Sequence, residues 1–162
     1  MAEQMTPYRP EQLDDIDIDI LRALQNDARL STRQLAAKVH RSPTPVFERV
    51  KRMEAEGYIR RYLAVLDADK LGRGFVVFCQ VKLRQINRDI ASDFVRLVQS
   101  LPEVTECYNV SGAFDYLLKI HVPSMTKYRD FVLNKLGAFD LVGSIESTFV
   151  MSEIKHDYGI PL

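Results

Sequence analysis

The sequence predicts an α+β chain in two parts: a winged helix-turn-helix of three short helices, then a ferredoxin-like βαββαβ sandwich. Three observations carry this. Helix-start signals occur three times before residue 57, a glycine-bearing stretch DADKLGRG follows, and beyond it strand-like and helical runs alternate in the order β-α-β-β-α-β. The expected organisation is a tail and three-helix unit over 1–62, a β-linker over 63–74, and the sandwich domain over 75–162.

The first helix must be separated from an alternative. DDIDIDIL (14–21) alternates strictly, which at period two is a strand with an acidic face. At the helix period the same residues account for more. Asp14 at the N-cap and Asp17 at N3 form an acidic capping box, and Leu13 and Ile18 fall where a hydrophobic staple needs them. Ile16, Ile20, Ala23 and Leu24 then share a face, with the carboxylates at the positive end of the helix dipole. In LSTRQLAAKV, Ser31 and Gln34 make a second capping box, Leu30 and Leu35 a staple, and the helix ends near Val39.

Only His40 and Arg41 precede Ser42, the N-cap of SPTPVFERVKRMEAEG, with Pro43 at the favoured N1 position and Gly57 as the stop. Val46, Val50 and Met53 line one face of this third helix with Phe47 beside them; Thr44, Glu48, Lys51 and Arg52 line the other. YIRRYLAVL (58–66) reads as an extended β segment.

From residue 75 the strands are FVVFCQVKL (75–83), VTECYNV (104–110), DYLLKIHV (115–122) and VGSIESTFVMSEI (142–154). The helices are IASDFVRLVQSL (90–101) and MTKYRDFVLNKLG (125–137), the second packing Tyr128, Phe131, Val132 and Leu136. Right-handed crossovers place both on one face of the sheet. In 75–83 both alternate sets are apolar, so the other face needs a cover, and a second copy of the domain, as a two-fold dimer, is the simplest.

Composition narrows the function. At 162 residues, 46% hydrophobic and 27% charged, the chain suits one or two globular domains. No apolar run reaches the roughly 20 residues of a membrane span, and MAEQMTPYRPEQ lacks the apolar core of a secretory signal, so no membrane partner and a cytoplasmic location are expected. Cys79 and Cys107 sit singly in apolar segments and read as buried reduced thiols. The three histidines are scattered without metal-ligand spacing and no nucleophile has a positioned base, so neither an enzyme, a metal nor a cofactor is expected. The formal net charge is zero, yet 38–61 holds seven positive against three negative side chains, a net +4, as a local phosphate-contacting element would.

On this reading the third helix enters the major groove of double-stranded DNA, with Thr44, Pro45, Glu48, Arg49 and Arg52 as contact candidates and Arg60 and Arg61 along flanking phosphates. A dimer would pair two such helices on a pseudo-palindromic site. The alternative is a ligand-sensing oligomer that acts through protein partners without DNA. In NVSGAFDYL, Gly112 permits positive φ, exposed amides can hold a carboxylate and Asp115 can receive an ammonium, the two charges of an amino acid. A plain tight turn, with Asp115 capping its own backbone, explains the same residues.

LDDIDIDILRALQNDAR, SPTPVFERVKRMEAEGYI with its continuation RRYLAVLD, VSGAFDYLL and TFVMSEIK, in this order, resemble the Lrp/AsnC family of feast/famine transcription regulators over nearly the whole chain. The resemblance implies an N-terminal DNA-binding domain and a C-terminal domain that dimerises through its sheets, dimers assembling into rings with an octamer expected. It also implies an effector, usually an amino acid, held between dimers. The effector set is then Asn109, Ser111, Gly112, Ala113 and Asp115 at the hairpin, with Met125, Thr148 and Phe149 close by. The DNA-binding set is Arg41, Ser42, Thr44, Pro45, Glu48, Arg49, Lys51, Arg52, Arg60 and Arg61. His40 and Arg41 stand where the family usually has a glycine and an apolar residue; histidine tolerates the left-handed region, and Arg41 gains a phosphate. Asn109 and Ala113 depart from the pattern of leucine-responding members, leaving another amino acid, or none, as the effector.

Overall fold

The computed structural model describes residues 13–162, so the expected N-terminal tail lies outside the described residues. The chain divides into two compact units, Met1–Val65 with His156–Leu162, and Leu66–Lys155. The last seven residues therefore group with the first unit. There Gln25 on the first helix exchanges two hydrogen bonds with the Ile160 backbone, at 2.8 and 3.1 Å, and Arg22 donates two to the Leu162 carbonyl.

The first unit is built from α1 (Asp15–Asn26), α2 (Thr32–Lys38) and α3 (Pro43–Ala55). Both capping boxes form: the Asp17 amide donates to Asp14 Oδ1 at 2.9 Å and the Asp14 amide to Asp17 Oδ2 at 3.2 Å, with the reciprocal pair at Ser31 and Gln34. The helix period of 14–21 is thus the operative one. Ile20, Leu35, Ala36, Val46 and Met53 make the buried core, ringed by half-buried Leu13, Ile16, Leu24, Leu30, Val39 and Val50.

The α2–α3 turn solves its geometry with a histidine. His40 has φ +52°, the Arg41 amide donates to the Ala36 carbonyl at 2.9 Å and the His40 amide to Ala37 at 3.3 Å. These are the two bonds of a Schellman motif, with His40 taking the left-handed place usually given to glycine. Gly57 closes α3 with φ +80°.

The expected β segment 58–66 is not a strand, and no strand among the described residues pairs with it. Tyr58 and Ile59 are used in the helical core instead, and 60–66 remain exposed. Residue propensity suits a strand there, but a ladder needs a partner backbone alongside. The expected β-linker is likewise a turn over 68–72, in which Asp67 accepts the Lys70 amide at 3.0 Å.

The second unit is a four-stranded antiparallel sheet in the order β2-β3-β1-β4, from β1 (Phe75–Leu83), β2 (Val104–Asn109), β3 (Tyr116–Val122) and β4 (Val142–Phe149). The crossovers are α4 (Arg88–Ser100), capped by Asn87, and α5 (Met125–Phe131), capped by Ser124 and continued by a π-helical segment Val132–Leu136. β4 stops at Phe149, short of the predicted 154, because β1 begins at Phe75: Phe149 pairs with Val77, and the Val150 amide makes a last bond to Val76. Val77, Cys79, Val81 and Leu83 face the helices with Tyr116, Leu118, Ile120, Val122, Phe94, Val98 and Phe131.

The opposite face is less apolar than β1 alone implies. Val76, Phe78 and Leu117 are half-buried there, but their neighbours by register and alternation include Lys119, His121, Glu106, Gln80 and Glu146. Cys79 is fully buried, which pushes its thiol up to about 11, well outside the reactive range. Cys107 is exposed, contrary to the expectation, because β2 is an edge strand whose helix side is only partly covered.

Candidate nucleic-acid interface and effector loop

At 100° per residue, α3 is oriented by buried Val46 and Met53 and half-buried Val50. Diametrically opposite stand Thr44, Glu48 and Lys51, all exposed, with Phe47 on one flank and Pro45 and Arg52 on the other. Phe47 is 45% exposed, with Lys51 Nζ 5.8 Å above its ring, so it belongs to the solvent face and not beside the core. The wheel already put it about 100° from the core centre, and hydrophobicity masked this. Lys51 also pairs with Glu54 at 2.9 Å, and Tyr62 donates to the same carboxylate at 2.8 Å, which holds Glu54 below the usual carboxylate range.

The start of α3 is unusual for a physical reason visible in SPTP. Ser42 holds the N-cap position, but its hydroxyl makes no cap hydrogen bond. The usual donors are the amides of N2 and N3, and N3 is Pro45, which has none. The first turn therefore offers the Thr44 amide and the Ser42 hydroxyl without a side-chain cap, beside exposed Arg41.

Arg49 and Arg52 are placed differently. Arg49 Nη1 lies 2.7 Å from Asp14 Oδ2 and 2.8 Å from Asp17 Oδ1, and Arg52 Nη2 bonds Asp17 Oδ2. Asp17 is 1% exposed. The Asp17 amide and Arg49 hold the Asp14 carboxyl below its ordinary value. Two of the ten DNA-binding candidates thus point toward α1. Arg60 and Arg61 are exposed just beyond α3.

In the second unit the hairpin loop 110–115 is tied to β1. The Asp115 amide donates to Val81 at 3.0 Å, the Leu83 amide donates to Asp115 Oδ2 at 2.8 Å, and Asn109 Nδ2 donates to the Asp115 carbonyl at 2.8 Å. The Asp115 side chain therefore caps the neighbouring strand, while its carbonyl closes its own hairpin by accepting the Val110 amide at 3.0 Å. Gly112 has φ +121° with open space where a Cβ would stand, and Ser111 and Ala113 are exposed beside it. Lys82 Nζ donates to the Ala113 carbonyl at 3.0 Å.

The other effector candidates lie elsewhere. Met125 follows Val122, which pairs with Phe75, whereas Tyr116 beside the loop pairs with Val81. Six residues of β3 separate these ends, about 20 Å at 3.3 Å per residue. Phe149 packs on Phe75 and Tyr128 at 5.9 and 5.6 Å between centroids, and Thr148 pairs with Phe78 on the open face. Met125, Tyr128, Arg129, Leu133 and Ser147 line a groove of about 390 Å³, floored by the 2.6 Å bond between the Tyr128 and Ser147 hydroxyls. Within one chain the loop and this groove are not one site. No group of three or more metal-ligating side chains occurs among the described residues. No helix among them is long and apolar enough to cross a membrane.

Comparison with known proteins agrees with both units. Residues 13–60 match the winged helix-turn-helix DNA-binding domain, and residues 76–160 the Lrp/AsnC ligand binding domain. The leucine-responsive regulatory protein of Escherichia coli is 41% identical over 145 residues, covering 90% of this chain and 88% of that protein. A transcriptional regulator from Neisseria meningitidis, solved as its L-Met complex, superimposes with a TM-score of 0.89 at 36% identity, covering 92% of this chain and 96% of that one. An AsnC family transcriptional regulator from Agrobacterium tumefaciens gives 0.88 at 35%, covering 92% and 97%. With a DNA-binding helix-turn-helix followed by that ligand-binding sandwich, and with such relatives along nearly its whole length, the chain belongs to the Lrp/AsnC family of DNA-binding transcription regulators.

Proposed function

We propose that the protein reads pseudo-palindromic duplex DNA as a homodimer, higher assembly being an octamer, and that an amino acid bound between copies sets its affinity or assembly. The observation that carries the DNA reading is the exposed face of Thr44, Glu48 and Lys51, held outward by the buried Val46 and Met53 and begun by a proline pair that leaves the first turn open. Ser42, Thr44 and Arg41 meet a phosphate at that turn, and Pro45, Glu48 and Lys51 face base edges. Arg60 and Arg61 follow the flanking backbone. Arg49 and Arg52 border the same face from the α1 side.

Two observations support assembly. Val76, Phe78 and Leu117 on the open sheet face gain a cover in a two-fold dimer, with the Lys119–Glu106 pair (3.3 Å) beside them. The Asn109–Asp115 loop and the Met125, Thr148 and Phe149 region lie far apart in one chain, so a site using both needs residues from two copies. The Neisseria relative was solved with L-Met, and an amino acid offers the carboxylate that the amides of Ser111, Gly112 and Ala113 can hold and the ammonium that Asp115 can receive.

Asp115→Asn separates the two roles of that residue. The amide oxygen still accepts the Leu83 N–H, so fold and DNA binding are expected to stay at wild-type levels, while the amino-acid concentration that shifts binding rises at least ~10-fold with the lost charge. Anisotropy titration of a duplex selected by the wild type, with amino acids added singly, measures this. A full response in the variant assigns Asp115 to holding β1 alone, and a wild type that selects no duplex would favour action through protein partners.

A further inference from the structure

The most buried charge among the described residues of the first unit is the carboxylate of Asp17, 1% exposed, and both guanidiniums that compensate it come from α3. A carboxylate so desolvated is strongly penalised unless paired and fully hydrogen-bonded. Here Oδ1 accepts from Arg49, and Oδ2 accepts from Arg52 and from the Asp14 amide. Asp14 adds a second carboxylate on Arg49, so two carboxylates face two guanidiniums and the cluster is formally neutral. Arg49 and Arg52 lie one turn apart along α3, so one carboxylate grips that helix at two points and fixes its rotation against α1.

We propose that Asp17 is a positioning residue for DNA recognition: it sets the angle at which α3 presents Thr44, Phe47, Glu48 and Lys51, and it withholds Arg49 and Arg52 from the phosphates. Discrimination between sequences then comes from the presented face, and sequence-independent attraction from Arg41, Arg60 and Arg61. A phosphate that drew Arg52 away would leave the buried Asp17 short of a partner, which holds the arginine in place. The proposal rests on α3 as the reading helix, but its salt-dependence arm does not require that any sequence be preferred.

The test uses the full chain, a duplex selected by the wild type from a random library, and a scrambled duplex of the same composition, titrated by anisotropy between 50 and 200 mM KCl. Asp17→Asn is expected to lower the selected-to-scrambled affinity ratio at least ~10-fold, and to steepen the salt slope on scrambled DNA by about 0.9 for each guanidinium released. Arg52→Met is expected to leave the scrambled-DNA slope at the wild-type value. Asp15→Asn, which removes an exposed carboxylate from the same helix, controls for bulk charge and is expected to change neither quantity. A slope reduced by about 0.9 in Arg52→Met makes Arg52 a phosphate contact and overturns the proposal. So does an Asp17→Asn protein with wild-type ratio and slope, or an Asp15→Asn protein as steep as Asp17→Asn. Should Asp17→Asn lose its helical circular dichroism, the Arg52→Met slope alone decides. A wild type with no sequence preference overturns the reading of α3, and the slopes still judge the ion cluster.

Discussion

Ile20→Ala is expected to destabilise the helix-turn-helix unit by about 2–5 kcal/mol, the range for removing a fully buried aliphatic side chain. Ile20 is 0% exposed and sits among four other buried apolar residues of the described part of that unit, Leu35, Ala36, Val46 and Met53. A unit of this size holds roughly 3–5 kcal/mol of net stability, so the loss removes most of it. Duplex binding should therefore disappear at 37 °C. The sheet unit has a separate core and should keep its own thermal transition. Calorimetry of the variant beside a binding titration measures both; wild-type DNA affinity would show that Ile20 does not hold α3 in place.

Phe94→Ala is expected to cost the second unit about 3–5 kcal/mol. Phe94 on α4 is 0% exposed, with its ring centroid 4.5 Å from that of Tyr116, where β3 begins next to the 110–115 loop. Emptying that position removes the contact between α4 and the strand from which the 110–115 hairpin returns. Assembly and any amino-acid response should be lost together, while the helix-turn-helix retains weak, sequence-independent binding from one copy. Sedimentation velocity and denaturant unfolding report this, and an intact oligomer with unchanged midpoint would contradict the packing role.

Local grammar was legible where the partners lie within a few residues. Asp14 with Asp17 and Ser31 with Gln34 follow from spacing and propensity alone, whereas the left-handed place of His40 came from the glycine that the resembled family usually has there. The βαββαβ order was readable because each element carries its own period, and the sheet order follows from connection rules. What spacing does not carry are the long-range contacts from Asp17 to Arg49 and Arg52, which make a capping carboxylate a buried ion-pair partner and two DNA-contact candidates its counterions. The missing cap of Ser42 was readable in principle, since Pro45 visibly lacks the donor, whereas the absent strand over 58–66 was not, because pairing depends on what lies alongside. The candidate effector set divides for the same reason: the Asn109–Asp115 loop is one local feature, whereas Met125, Thr148 and Phe149 lie toward the other end of the sheet in one chain, a separation that residue spacing does not carry.

The central claim is that the solvent face of α3 reads sequence. Its most direct test is the ratio of affinities for a wild-type-selected and a scrambled duplex, measured at one salt concentration for the triple variant Thr44→Ala, Glu48→Ala, Lys51→Ala. These side chains are exposed, so the fold should persist. The account predicts that the ratio collapses toward one, each lost base contact costing about 1–3 kcal/mol of discrimination, while scrambled-DNA affinity changes little, because the variant loses one cation (Lys51) with one anion (Glu48) and keeps Arg41, Arg60 and Arg61. A triple variant that still prefers the selected duplex by the wild-type factor would contradict it.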